Sequence, residues 1–242
     1  MHSKGWRTSS GDAALVQSPA RREWFSGAAH WAAALACALV LPSAGWAAPA
    51  KSKSAKGPAT ILIVGDSLSA EYGLVRGSGW VALLEKRLAA GSGTPAKVVN
   101  ASISGDTTSG GAARLPALLK THQPTHVVIE LGGNDALRGL PLKATRETLD
   151  AMVRSCQAIG AKVVLVGMMM PPNFGRRYAE DFAAIFPAVA SARSVPVVPF
   201  FLKGVADRPD ARDWFQPDGI HPLAKAHPVM LDNVWPVLAP LL

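Results

Sequence analysis

The sequence predicts an α/β fold, with one three-layer α/β/α domain at residues 58–242. Two observations lead to this fold class: five short apolar runs alternate with amphipathic segments, and 242 residues are enough for one such domain but few for two. Strands that alternate with helices form βαβ units, whose crossovers are right-handed and whose sheet is parallel. With 49% hydrophobic and 17% charged residues, the chain can bury a sizeable core.

The predicted strands are short and rich in β-branched residues. The run at 60–64 is apolar throughout, which is typical of a strand buried on both faces. The other four strands are predicted at 97–100, 125–131, 162–166 and 195–198.

The predicted helices fill the intervals between and after these strands. They lie at 80–88, 112–120, 142–159, 182–192 and 223–242. Gly160 follows the third of them, where a glycine commonly ends a helix. In the last helix, Pro228 and Pro236 predict interruptions, because proline removes a backbone donor.

Residues 1–50 have the pattern of a secretory signal peptide. A charged part ends at Arg21-Arg22, an apolar run covers 31–41, and small residues follow. The run is shorter than the roughly 20 residues that a spanning helix needs. We expect cleavage near 47–50, a flexible linker at 51–57, and a periplasmic or secreted domain. The general secretory and twin-arginine routes both stay open.

The formal net charge of +8 is spread along the chain. Without basic runs that alternate with aromatic residues, it predicts no nucleic-acid partner, whereas a transient contact with an anionic membrane surface is compatible with it. Cleavage would remove Cys37, so that Cys156 could form no internal disulfide. We expect Cys156 to be a buried helical residue, and the domain to be a monomer.

Four polar clusters follow predicted strands or precede the last helix. Because ligands of open parallel sheets bind outside the carboxyl ends of the strands, these clusters are expected to share one edge. They lie at 65–69, 101–106, 132–135 and 218–222.

Three residues of these clusters suit acyl transfer. A serine hydroxyl needs a base within hydrogen-bond reach to become a good nucleophile. His221 can take up and return a proton near neutral pH, and Asp218 can orient its ring toward Ser67. We therefore expect Ser67 to be the nucleophile, His221 the base and Asp218 its orienting partner.

The same clusters offer donors for the oxyanion of a tetrahedral intermediate. The backbone N–H groups of Ser67 and Gly105 are two candidates, and the side-chain amide of Asn134 is the third. Taken singly, Ser67 could cap a helix and Gly105 could be a turn residue. Their joint occurrence at one sheet edge favours catalysis.

The clusters, in this order, resemble the blocks of the SGNH (GDSL) hydrolase family. Gly-Asp-Ser-Leu at 65–68 is similar to the first block, Gly105 to the second, Gly-Gly-Asn-Asp at 132–135 to the third, and Asp-Gly-Ile-His at 218–221 to the fifth. The segments 100–107, 130–135 and 173–178 look like the bacterial periplasmic subgroup of thioesterase I, lysophospholipase and arylesterase type. The likeness extends from residue 60 to the end.

This resemblance implies a flavodoxin-like sheet and hydrolysis of acyl esters and thioesters, lysophospholipids included, through an acyl-serine. It implies no metal and no cofactor. The nucleophile maps to Ser67, the oxyanion donors to Ser67, Gly105 and Asn134, and the acid–base pair to Asp218 and His221.

Two features depart from the family pattern. Glu71 is expected to add a negative charge near the entrance of the site and to lower activity on anionic substrates. The segment 168–172 is rich in methionine, whose flexible side chain suits an alkyl chain of variable length. The candidates for substrate binding in it are Met169, Met170, Pro171 and Pro172. Ordinary core packing at the end of the fourth strand explains the methionines equally well.

Two other functions stay open. A carbohydrate O-deacetylase would use the same machinery with a smaller pocket, although the apolar stretch 166–172 favours longer acyl chains. A flavodoxin-like nucleotide binder could hold phosphate with residues 105–111 at a helix N-terminus, but it would give Asp218 and His221 no task.

Overall fold

The computed structural model describes residues 58–91 and 96–242. The predicted signal peptide at 1–50 and the predicted linker at 51–57 lie outside the described residues. No helix in the described part of the chain is long and apolar enough to cross a membrane.

Five parallel strands form one sheet in the order β2-β1-β3-β4-β5. Ile63 of the first strand lies opposite Asn100 of the second and Val128 of the third. This order is that of the flavodoxin-like sheets, so the predicted fold class is confirmed. The strands are β1 (Ala59–Gly65), β2 (Ala96–Asn100), β3 (His126–Glu130), β4 (Lys162–Val166) and β5 (Val197–Val198).

Helices cover both faces of this sheet. They are α1 (Trp80–Ala89), α2 (Thr108–His122), α3 (Gly133–Leu137), α4 (Leu142–Ala158), α5 (Arg176–Ala183), α6 (Ile185–Arg193) and α7 (His227–Leu238). Helix α1 packs against α7, and α2, α4 and α6 pack in series. Right-handed crossovers place these two groups on opposite faces, which gives the three layers.

The end of α4 follows the predicted glycine stop. Gly160 has a φ of 79°, a backbone conformation that favours glycine. Its N–H donates to the carbonyl of Gln157 (2.9 Å), and the N–H of Ala161 donates to the carbonyl of Cys156 (3.1 Å). Two carbonyls at the helix end are thereby satisfied. Cys156 is fully buried, and burial raises the pKa of its thiol to about 12.

Prolines account for two differences from the predicted helices. The helix expected at 182–192 is split into α5 and α6, and α6 begins just before Pro187, since proline fits only the first turn of a helix. The interruption expected at Pro236 is wrong, because α7 continues to Leu238. Proline near the end of a helix removes a single bond there, to the carbonyl of Asp232, whose side chain is well exposed to water.

Candidate active site

The polar clusters meet where the strand order changes direction. The chain passes from β1 outward to β2 and then returns across the sheet to β3, so β1 and β3 lie side by side at the centre. Ser67 follows β1 by two residues, Gly105 follows β2 by five, and Asn134 follows β3 by four. A crevice at the carboxyl ends of such strands is the usual ligand site of an open parallel sheet.

A chain of two hydrogen bonds joins Ser67, His221 and Asp218. The Oγ atom of Ser67 lies 2.9 Å from Nε2 of His221, and Nδ1 of His221 lies 2.7 Å from Oδ2 of Asp218. An ionised carboxylate can only accept, so Nδ1 carries the proton and Nε2 presents its lone pair to the serine hydroxyl. The arrangement is that of a nucleophile, a base and a residue that orients the base.

A tight turn holds the Asp218 carboxylate in place. Its Oδ1 atom accepts the backbone N–H groups of Ile220 (2.9 Å) and His221 (3.0 Å). The backbone bond from His221 and the contact with its ring lower the pKa of Asp218 to about 2. Asp218 is therefore ionised at every pH at which the imidazole could act as a base.

Two residues that the sequence analysis did not single out support the histidine. The ring of Tyr72 packs on the ring of His221, with 4.2 Å between centroids. Gln216 donates its backbone N–H to the carbonyl of His221 (2.7 Å) and its side-chain amide to the carbonyl of Tyr72 (2.9 Å). Tyr72 thus fixes the ring face of His221, and Gln216 fixes its backbone. No local sequence motif around residues 72 or 216 predicts these contacts.

The proposed oxyanion donors are available for a ligand. Within the described ranges, the backbone N–H groups of Ser67 and Gly105 have no acceptor. Gly105 has a φ of 79°, and its carbonyl accepts a bond from Arg138 (2.8 Å) that fixes the peptide. The Asn134 amide gives one hydrogen to Asp66 (2.9 Å) and keeps the other free of acceptors in residues 58–91 and 96–242.

Asp66 links the nucleophile turn to Asn134. Its Oδ1 atom accepts the backbone N–H of Leu68 (3.0 Å), and its Oδ2 atom accepts the Asn134 amide. Its side chain is only 3% exposed, and burial raises its pKa to about 6, although the bonds from Leu68 and Asn134 oppose this shift. Asp66 therefore supports the turn rather than the chemistry.

A second buried carboxyl group, Glu130, lies beneath this turn. Its Oε2 atom accepts the Ser69 hydroxyl (2.7 Å) and the backbone N–H of Asp66 (3.3 Å). Burial and the charge of Asp66 raise the pKa of Glu130 well above its usual value. Ser69 also accepts the indole N–H of Trp80 (3.1 Å). The only sequence signal for this network is an acidic residue that directly follows the apolar run Val127–Ile129.

The structure places Glu71 differently from the sequence-based expectation. Its carboxylate accepts the backbone N–H of Gly77 with both oxygens (3.0 Å each) and that of Gly79 with one (2.7 Å). Glu71 itself has a φ of 59°. The Glu71 carboxylate therefore closes the loop 71–79 through these bonds. It is not the unpaired negative charge that was expected at the entrance of the site.

The predicted substrate-binding residues are divided between core and surface. Met170 is 8% exposed and packs in the hydrophobic core, whereas Met169 is 47% exposed. Pro171 is exposed, and Pro172 begins a short 3₁₀-helix. Core packing therefore accounts for Met170, and Met169 and Pro171 remain the candidates that a substrate could reach.

The residues of this site lie within a region that is similar to a known protein family. The model of the GDSL-like lipase/acylhydrolase family matches residues 63–229. The chain belongs to this family. The match runs from the end of β1 to the first residues of α7, and so includes the serine turn, both oxyanion segments and the Asp218–His221 loop.

Individual members of the GDSL-like family are similar to this chain over most of their length. Esterase TesA of Pseudomonas aeruginosa is 53% identical over 183 residues, which are 76% of this chain and 89% of that protein. Thioesterase 1/protease 1/lysophospholipase L1 of Escherichia coli K12 is 46% identical over 182 residues, 75% of this chain and 84% of that protein. A crystal structure of TesA superposes with a TM-score of 0.72, at 53% identity, over 76% of this chain and 99% of that one.

Membership in this family makes the chain a hydrolase of the carboxylic-ester type. The α2 N-terminus, in contrast, offers little to a phosphate. The backbone N–H of Thr108 donates to Asp135 (2.8 Å), and that of Gly110 to the side chain of Thr107 (3.2 Å). Because these donors are already used within the protein, the nucleotide-binding alternative has no structural support.

Proposed function

We propose that this protein is an exported hydrolase of acyl esters and thioesters that works through an acyl-serine on Ser67. The observation that carries the proposal is the hydrogen-bond chain from Ser67 through His221 to Asp218. The names of the relatives support the substrate class, since they include an esterase and a thioesterase/lysophospholipase. The leader pattern at 1–50 supports export to the periplasm or beyond.

In the first half of the reaction, the Ser67 oxygen attacks the acyl carbonyl carbon while its proton passes to Nε2 of His221. The carbonyl oxygen becomes an oxyanion, which the N–H groups of Ser67 and Gly105 and the Asn134 amide stabilise. Asp218 stabilises the imidazolium that forms. His221 then protonates the departing alkoxide or thiolate, which leaves as alcohol or thiol, and the acyl-serine remains.

In the second half, a water molecule replaces the leaving group. Nε2 of His221 takes a proton from this water, which attacks the acyl-serine carbonyl. Collapse of the second tetrahedral intermediate returns the proton to Ser67 and releases the carboxylic acid. The same donors serve both intermediates, because both place the negative charge on the same oxygen.

Turnover of p-nitrophenyl esters from acetate to palmitate tests this proposal. Purified residues 51–242 contain the whole described sheet with its helices, and the TesA crystal structure matches a chain of this extent. We expect hydrolysis that peaks at medium or long acyl chains, and a loss of at least about 10³-fold in kcat for Ser67→Ala with the fold intact. Ser155→Ala is the matched control, since its hydroxyl lies on the exposed side of α4 and donates to the carbonyl of Ala151.

Each outcome has a distinct meaning. Wild-type turnover by Ser67→Ala would overturn the mechanism. Labelling by a phosphonate that is lost in Ser67→Ala but kept in Ser155→Ala would support it. Activity confined to the acetate ester would replace the acyl-chain assignment with the deacetylase one.

A further inference from the structure

The large hydrophobic side chains that remain exposed are unevenly distributed. Of the nine in the described ranges, eight lie in the connections that follow the carboxyl ends of β1 to β4 or in the loop that carries His221. We call these eight the apolar rim: Tyr72, Val75, Ile103, Leu137, Leu140, Met169, Phe174 and Ile220. The ninth, Ile159, lies at the opposite end of the sheet, just before β4.

The apolar rim lies at the same edge of the sheet as the candidate active site. Tyr72 contacts the ring of His221, Ile220 is the residue before it, and Ile103 precedes Gly105 by two residues. The rim comes from five separate connections of the fold. Exposed apolar surface that is gathered in one region marks an interaction site rather than the scatter of single residues seen on ordinary surfaces.

The loop 71–79 presents the most exposed member of the rim. Val75 is 82% exposed, and Arg76 next to it is also exposed. The loop is closed from within by the Glu71 carboxylate, and the Ser78 hydroxyl donates to the carbonyl of Val75 (2.6 Å). Its tip is therefore held in an outward position rather than left to fold back on the protein.

Exposed arginines lie around the rim. Four arginines are exposed there: Arg76, Arg138, Arg176 and Arg177. Arg177 has a distant partner in Asp181 (3.8 Å), and the bond of Arg138 within residues 58–91 and 96–242 is to the carbonyl of Gly105.

Acidic residues of the same connections are partly neutralised: Glu180, Asp181 and Asp213 are exposed, whereas the others nearest the site are buried or bonded. Asp66 and Asp135 are each 3% exposed. Asp106 pairs with Arg114 (2.8 Å), and Asp218 and Glu71 are bonded as described above. An apolar surface with surplus cations is complementary to an anionic lipid bilayer, which offers apolar depth beneath negative headgroups.

We infer that the apolar rim is a docking surface for anionic phospholipid bilayers, with the loop 71–79 as its leading contact. Insertion of Val75 and its neighbours removes apolar area from water, and Arg76 and the other rim arginines approach the lipid phosphates. The inference rests on the proposed function in one respect, namely that docking would bring the Ser67 site to acyl esters held in a membrane. Binding itself requires no turnover.

Vesicle binding by Ser67→Ala protein of residues 51–242 tests the docking surface without hydrolysis of the lipid. The probes are vesicles of phosphatidylcholine alone and of phosphatidylcholine with phosphatidylglycerol, assayed by co-sedimentation at low and high salt. We expect binding only to the phosphatidylglycerol vesicles, and weaker binding as salt screens the arginines. In this background, Val75→Asp is expected to weaken binding about tenfold and Arg76→Glu at least about fivefold.

Two matched controls lie at the opposite end of the sheet. Ile159→Asp places the same charge on an exposed apolar site outside the rim, and Lys120→Glu reverses an exposed charge near the end of α2. Both are expected to bind within about twofold of the parent. With Ser67 intact, Val75→Asp should hydrolyse a soluble acetate ester like the wild type, which shows that the fold is retained.

Three results would overturn the inference. The first is the absence of parent binding to the phosphatidylglycerol vesicles at low salt. The second is an equal loss of binding in the Val75 and Ile159 variants. The third is a loss of medium-chain ester hydrolysis in Val75→Asp together with parent-like vesicle binding, which would make the rim an acyl-chain groove. None of these depends on whether Ser67 is the nucleophile.

Discussion

The amide of Asn134 is held by Asp66, with Nδ2 2.9 Å from Oδ2. Asp66 precedes the serine in the chain, so the third oxyanion donor is fixed to the turn that carries the nucleophile. Burial raises the pKa of Asp66 to about 6, and ionised Asp66 accepts the amide more strongly than the protonated form does. The position of the Asn134 amide therefore depends on the charge of Asp66, a carboxylate that takes no part in the reaction itself.

Asp66→Asn should therefore lower kcat by roughly tenfold, because an amide cannot accept with both of its polar atoms and one of the two bonds to Leu68 and Asn134 is lost. KM for a p-nitrophenyl ester is expected to change little, since ground-state binding does not use this bond. Steady-state kinetics with both proteins measures the split. A rise in KM at unchanged kcat would show that Asp66 does not position the oxyanion donor.

The same variant tests the pKa of Asp66. Folding raises the pKa of the Asp66 carboxyl group from 3.8 to about 6. The folded protein therefore loses stability as pH rises between these two values. The cost is present above about pH 6 and vanishes below about pH 4. We expect the free energy of unfolding of the parent, minus that of Asp66→Asn, to fall as pH rises over that window in urea titrations. A difference that is flat with pH would place the pKa of Asp66 at its ordinary value.

The fold and the chemical residues could be predicted because both rest on local patterns. Apolar runs gave the five strands, and the rule for parallel sheets placed Ser67, Gly105 and Asn134 at one edge. The contacts among these residues are non-local: Glu130 meets Ser69 across 61 positions, and Gln216 meets Tyr72 across 144. No spacing in the sequence reports such pairs.

Glu71 shows why a charged residue near a motif is hard to interpret from sequence. An acidic residue at this position predicted an added negative charge near the entrance. In the structure, the Glu71 carboxylate accepts three hydrogen bonds from the backbone N–H groups of Gly77 and Gly79. Backbone donors are identical at every position, so no sequence pattern indicates which of them lack a partner. The two-residue length of β5 also depends on packing that propensity does not encode.

Glu71→Gln should weaken the closure of the loop 71–79 at little change in side-chain volume. The amide oxygen can still accept from Gly77 and Gly79, but the negative charge is lost and the amide NH₂ replaces the second oxygen that accepts the Gly77 N–H, so a donor faces a donor. We expect a loss of about 2 kcal/mol in the free energy of unfolding. Glu85→Gln on the exposed side of α1 is the control, with a change within about 0.5 kcal/mol. Equal effects of the two substitutions would show that the loop is not closed by the Glu71 carboxylate.

His227 should make the protein sensitive to acid. Its Nδ1 atom accepts the backbone N–H of Trp80 (3.1 Å), and burial lowers its pKa from 6.5 to about 4. The unfolded chain then binds a proton that the folded protein does not, so stability falls as pH drops from about 6.5 to about 4. We expect this term to reach about 3 kcal/mol. It should disappear from denaturant titrations of His227→Asn, whose Oδ1 atom takes the place of Nδ1 and can still accept the Trp80 N–H. An unchanged pH profile would contradict the assignment.

Gly105 and Gly160 form a natural pair for testing the oxyanion hole. Both have a φ of 79°, which costs about 1 kcal/mol for a residue with a Cβ atom. At Gly160 an added Cβ meets no atom within 4 Å, and at Gly105 it meets only a guanidinium nitrogen of Arg138, at 3.5 Å. Alanine at either position is therefore expected to lower the free energy of unfolding by a similar amount.

Only Gly105→Ala is expected to lower activity, because its N–H is a proposed oxyanion donor while Gly160 lies at the opposite end of the sheet. Relief of backbone strain would turn the Gly105 peptide away from the reacting carbonyl, and the loss of one such donor costs about 10²-fold in kcat. Ester kinetics and thermal unfolding on both variants separate strain from catalysis. Matched losses of stability with matched activities would remove Gly105 from the oxyanion hole, whereas matched stabilities with a kcat lost only in Gly105→Ala would place its N–H at the reacting oxygen.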